Sequence, residues 1–292
     1  MLPTQNADQS MTRESDVLWL SVSPSLKCFD QRLLSQLAKV APVRRWEYCQ
    51  TPDEPCCIES VIETLHDYIS HRVALEASSG QRDHKLHLLG HGVSGTVALL
   101  YARRYPQHVA SLSLLSVSAM PAVNWQAHYY ALRQLLPCSR EIVLAQMARL
   151  MFGDRPIRFA KALSQLLVRD LDSHFTLHSL ANRKKISPGG ADVPLLVCNG
   201  QTDRLTSPNS LAHNSAQLEI SWEEWLKPGD RSWLCPDGNY FFHFHHPAIV
   251  ANRIADYWQQ VSVTRTPSET STARLQEISQ PTTSPQPRKS QM

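Results

Sequence analysis

No charge of one sign dominates this sequence: 29 Lys and Arg stand against 26 Asp and Glu, a formal net charge of +3 across 292 residues. A nucleic-acid-binding face needs clustered basic residues interleaved with aromatics, and no such run occurs, so nucleic acid is not expected as a partner. Long apolar runs are missing as well. The first, Val17 to Val22, is far shorter than the roughly 20 residues that cross a bilayer. Met1 to Asp16 is polar and has no signal-peptide core, so no membrane span is expected and the expected location is the cytoplasm. Cysteine is present without a framework. Cys28, Cys49, Cys56, Cys57, Cys138, Cys198 and Cys235 are odd in number, show no C-x-x-C spacing and fall mostly in apolar segments, which predicts reduced, buried thiols.

What is there alternates between strand and helix. Continuous apolar stretches predict strands at 17–22, 43–49, 85–90, 110–117, 194–199 and 232–235, and helical periodicity predicts helices at 30–39, 58–70, 94–105 and 247–260. Apolar strands separated by helices imply an α/β fold with a mostly parallel sheet covered on both faces. Residues 118–192 break the alternation and are helical in period. Ser139 is the expected N-cap of a helix with Val143, Met147, Leu150 and Met151 on one face, and Phe159, Leu163, Leu166 and Leu167 repeat that spacing in the next. The ends differ: 1–16 reads as a flexible arm and 262–292, rich in Ser, Thr, Pro and Gln, as a disordered tail. Between them lie a core of 17–117 and 193–261 and the helical insertion of 118–192.

The segment Lys85 to Leu100 carries the most chemical information. An apolar strand enters the small-residue turn Gly90-His91-Gly92-Val93-Ser94-Gly95 and leaves it as an amphipathic helix, the layout of a nucleophile elbow of form G-x-S-x-G. Glycine stands at the position that would bear the reactive hydroxyl. It tolerates positive φ without a Cβ clash and has no group for covalent chemistry. From about Asp16 to Val261 the chain resembles the α/β-hydrolase superfamily. The phrases Trp46-Glu47-Tyr48, His128-Tyr129-Tyr130 and Val193 to Cys198 are similar to a cyanobacterial branch of it. The resemblance implies the α/β-hydrolase fold, starting at its usual third strand, with 118–192 inserted where the superfamily carries its lid.

The resemblance also assigns the remaining catalytic positions, because the triad runs in the chain order nucleophile, acid, base. Asp203, in the turn Gly200 to Arg204 after an apolar strand, matches the acid, although without partners for chemistry the residue is expected to tie down its own loop or cap the next helix. Tyr240, in Gly238-Asn239-Tyr240-Phe241, matches the base, and a phenol with an ordinary pKa of about 10 is a poor base near neutrality. Val93 supplies one backbone N–H for an oxyanion hole. The early loop Ser21 to Pro24, where relatives commonly carry His-Gly, leaves the second donor undefined.

Two substitutes are conceivable: Ser94 as a shifted nucleophile, which would rotate the following helix by about 200°, and His243 as a base. His243, His245 and His246 lack the acidic or thiol partner of a zinc site, so neither metal nor cofactor is expected. Trp125, His128, Tyr129 and Tyr130 are the candidate pocket residues, with aromatic bodies and polar tips suited to a small, mainly apolar ligand. The sequence thus predicts a catalytically inactive α/β-hydrolase-fold protein that binds a small apolar ligand or a protein partner. The alternatives are an active esterase with machinery relocated around Ser94, Asp203 and His243, and an interaction protein without a small ligand.

Overall fold

Every residue of strand β1 (Val17–Ser21) is buried, as is every residue of β4 (Val109–Leu115), while β3 (Leu86–His91) and β5 (Leu195–Gly200) are buried at all positions but one. Strands buried on both faces belong to the middle of a parallel sheet, and β2 (Val43–Glu47) and β6 (Arg231–Cys235), both largely uncovered, belong at its edges. The computed structural model, which describes residues 16–49, 57–78, 85–121, 123–154, 156–172, 186–206 and 221–265, has this arrangement. Six strands run in the order β2-β1-β3-β4-β5-β6, and all five pairings are parallel.

The order reverses between β1 and β3, so their carboxyl ends, Ser21 and His91, open on the crevice where doubly wound sheets place their ligands. Helices α2 (Ile58–Ser78) and α3 (Val93–Arg104) cover one face through Val61, Leu65, Val97 and Tyr101 against Leu18, Leu20 and Leu88. On the other face α1 (Gln31–Leu37) contributes Leu33 and Leu37, which pack with Val17, Trp19 and Leu89. The elbow depends on close approach. A Cβ on Gly90 would lie 2.6 Å from the backbone of Ser94 and Gly95, so only glycine lets α3 leave β3 so tightly.

Among the described residues, three helices lie between β4 and β5: α4 (Trp125–Leu135), α5 (Arg140–Phe152) and α6 (Ile157–Leu171). Their Met and aromatic stripe is a core of its own: Trp125, Met147, Met151, Phe152, Leu163 and Leu167 pack with Phe29, Tyr240 and Phe241 from the loops at the sheet's carboxyl edge. After β6 come a short helix α7 (Phe242–His245) and α8 (Pro247–Arg265), which closes the second face with Ile254 and Trp258.

Several expectations shift. Helix α4 had not been separated within the insertion, although Asn124 caps it by accepting a bond from Ala127 N–H at 2.9 Å. Ser139 does stand at the N-cap of α5, yet its side chain makes no capping hydrogen bond. Helix α2 runs eight residues beyond 70, and α8 reaches Arg265, so 262–265 continue a helix rather than begin a tail. The arm before Asp16 and residues 266–292 lie outside the described residues. The cysteines are corrected in part: the six described are free, but only Cys198 and Cys235 are buried, while Cys28 and Cys49 are exposed. Among the described residues no helix is long and apolar enough to cross a membrane.

Candidate functional site

Gly92 sits between β3 and α3 with φ 53° and ψ −122°, a conformation that L residues rarely adopt. Its N–H donates to Leu115 O at 2.8 Å and its carbonyl accepts from Thr96 N–H at 3.0 Å, so both ends of the strained residue are pinned. Where a side chain at this position would start, Tyr240 already stands. A Cβ on Gly92 would fall inside contact distance of Tyr240 Oη and 3.2 Å from its Cζ.

Tyr240 is held there by its backbone and its burial. Its carbonyl accepts from Ser116 Oγ at 2.7 Å and from His91 Nε2 at 3.0 Å, and the residue is 2% exposed. Burial pushes the phenol well above 10, and Asp203, Asp170 and Asp30 push it further in the same direction. The group stays a neutral phenol across the physiological range.

Asp203 is buried and bonded within its own loop, with the Ser116 hydroxyl also acting on it. Oδ1 accepts from Leu205 N–H at 2.8 Å and Thr206 N–H at 3.4 Å, and Oδ2 accepts from Thr206 Oγ1 at 2.7 Å. Burial raises its pKa, opposed by these hydrogen bonds. Gly92, Tyr240 and Val93 therefore meet at one point, with Asp203 close enough to act on the phenol's charge.

Ser94 and His243 are each engaged with a different partner. Ser94 Oγ accepts the N–H of Val22 at 3.0 Å, tying the loop after β1 to the first turn of α3. That bond also occupies the Val22 N–H in the loop expected to hold a second oxyanion donor. His243, fully buried, is paired through Nε2 with Asp30 Oδ1 at 3.2 Å. Burial lowers the His243 pKa to about 3, so the imidazole is neutral. Asp30 Oδ2 accepts from Trp19 Nε1 at 3.0 Å, and burial lifts this carboxyl to about 6. His91 completes the group, its ring 4.5 Å from that of His243 and its pKa lowered to about 3 by burial and then by His243.

Sequence reasoning missed Asp30 and Trp19. Asp30 lies 213 residues from His243 in the chain, and no spacing rule connects them. His91 had a signal, its place inside the elbow itself. His245 and His246 join no third ligand: among the described residues no group of three His, Cys, Asp or Glu could hold a metal ion.

The cavity at the elbow, bordered by Ser21, Asp30, His91, Val93, Trp125 and Tyr240, leaves about 20 Å³, room for about one water molecule. Of the four aromatic candidates only Trp125 borders it. His128 and Tyr129 are buried within the insertion, and Tyr130 is 37% exposed.

No protein-family model matches the chain. An uncharacterized protein of Synechocystis sp. is 39% identical over 265 residues, spanning 90% of this chain and 98% of the relative. An uncharacterized protein of Nostoc sp. is 38% identical over 249 residues, spanning 85% and 92%. Among solved structures, a thermophilic esterase from Thermogutta terrifontis superimposes with a TM-score of 0.57 at 17% identity, covering 85% of this chain and 91% of its own. A meta-cleavage product hydrolase from Pseudomonas fluorescens gives 0.57 at 12% identity, covering 85% and 91%. These likenesses agree with the parallel sheet and the strand-turn-helix at Gly92. The chain has the α/β-hydrolase fold and belongs to one family with these two cyanobacterial proteins.

Proposed function

We propose that the protein is a catalytically inactive α/β-hydrolase that acts by binding, with Gly92 at the nucleophile position, Asp203 at the acid position and Tyr240 at the base position. The observation that carries this reading is the overlap of Tyr240 Oη with the volume a side chain at Gly92 would need. Loss of the nucleophile and loss of the base are then one event in space: the phenol fills what the serine vacated. A neutral phenol can neither attack nor accept a serine proton, and Asp203, closed on Thr206 and Leu205, has no imidazole to orient.

The relocated-esterase alternative gains little support. Its serine accepts the N–H of Val22, and the Nε2 of its histidine is paired with Asp30. The narrow elbow cavity speaks for a partner held on a surface of the fold, a protein above all, over an apolar molecule enclosed beneath the helical insertion acting as a lid. The six described cysteines, all free, accord with a cytoplasmic setting. The test is turnover of p-nitrophenyl acetate, butyrate and octanoate by the full chain beside Ser94→Ala. The reading expects both to match the buffer rate; turnover that Ser94→Ala abolishes would transfer support to the relocated machinery.

A further inference from the structure

We propose that a second crevice, between α5 and the turns that follow β5 and β6, binds a small organic anion through its carboxylate or phosphate oxygens. Its volume of about 410 Å³ is in the range of small-molecule sites, unlike the elbow cavity. It also lies at the carboxyl ends of parallel strands and at the seam between core and insertion, both usual places for ligands.

The lining is rich in donors. Arg149 and Gln146 come from α5, Arg204 from the turn after β5, and Asn239 from the turn after β6; Thr202 also borders the crevice, with its hydroxyl donating to Gly238 O at 2.8 Å. Asn239 Oδ1 accepts from Thr202 Oγ1 at 3.0 Å, which leaves Nδ2 as the part of that amide able to donate to a ligand. Gly153, with φ +72°, keeps the wall open beside it: a Cβ there would stand 3.1 Å from Asn239 Nδ2.

One carboxylate borders the crevice, Asp154, and it is already paired with Arg149 Nε. Arg204 has no ion-pair partner among the described residues and supplies the uncompensated charge. The carbonyl end of α5, at Phe152, disfavours an anion on this side, and the guanidinium groups of Arg149 and Arg204 have to outweigh it. Their planar forks match carboxylate or phosphate oxygens in pairs. None of these side chains belongs to the Gly92 and Tyr240 arrangement, so a failure here and a failure of the inactive-elbow reading are read in separate assays.

The experiment is isothermal titration of the full chain at low ionic strength with sodium succinate and with inorganic phosphate, sodium chloride serving as the control. At least one of the two anions should saturate a single site; succinate alone would mark a carboxylate site and phosphate alone a phosphoryl site. Arg204→Gln should weaken binding at least about tenfold, and Arg204→Lys, which keeps the charge and loses the fork, should fall between. Absence of saturation by either anion up to about 10 mM would overturn the proposal, as would equal affinity in a folded Arg204→Gln protein.

Discussion

Replacing Gly92 with alanine imposes two costs that the structure separates. The first is conformational: at φ 53° and ψ −122° an L residue is strained by about 1–3 kcal/mol. The second is steric, because the new Cβ meets Tyr240 Oη and lies 3.2 Å from Cζ, and Tyr240 is boxed in by Phe241 and the core of the insertion. Overpacking of this kind adds about 1–3 kcal/mol. Gly92→Ala should therefore lose about 3 kcal/mol, seen in urea denaturation and as a fall in Tm of about 6–12 °C for a domain of this size. Tyr240→Phe removes the oxygen and most of the steric cost but none of the strain. In a double-mutant cycle the pair should couple favourably by about 1 kcal/mol or more. A Gly92→Ala protein within about 0.5 kcal/mol of the parent would refute the strained turn, and strictly additive effects would refute the contact.

Other expectations follow from the same contacts. Gly92→Ser alone should destabilise and restore no esterase activity, whereas Gly92→Ser with Tyr240→His relieves the clash, supplies an imidazole and should exceed either single variant at least about tenfold in p-nitrophenyl ester turnover; equal rates in a folded double variant would argue against Tyr240 as the base position. Ser94→Ala frees the buried Val22 N–H and should lose about 1–3 kcal/mol in chemical denaturation. Burial lifts the carboxyl of Asp170, which accepts from Gln126 Nε2 at 3.3 Å, to about 7. A carboxyl whose folded pKa is raised contributes stability that is full below its unfolded value of about 3.8 and is lost as pH rises through about 7. Asp170→Asn, which cannot ionise, should gain on the parent as pH is raised from about 4 to 8 in urea titrations; a difference that stays flat with pH would contradict the burial of a titrating carboxyl.

The sheet and the elbow were legible because both are local. Buried parallel strands read as unbroken apolar runs, and Gly90, Gly92 and Gly95 announce a tight turn whatever the rest of the chain does. The insertion's apolar faces followed helical spacing, and the capped start of α4 at Asn124 was also there to be read. What sequence spacing could not reach was occupancy. Matching Tyr240 to a base position says nothing of where its oxygen goes, and only the folded chain brings it over Gly92. The same holds for His243, whose partner Asp30 comes from the other end of the chain, and for Ser94, whose hydroxyl is taken by a loop 72 residues earlier. Backbone register follows from local chemistry, while the use of each polar side chain depends on neighbours distant in sequence.

The most direct test of the central claim is intact-mass analysis of the full-length protein after prolonged exposure to an excess of a fluorophosphonate probe. If the protein is inactive as proposed, the mass should remain that of the unmodified chain, since an unactivated hydroxyl reacts too slowly to accumulate an adduct. A stoichiometric single adduct that maps to Ser94 and disappears in Ser94→Ala would contradict the account.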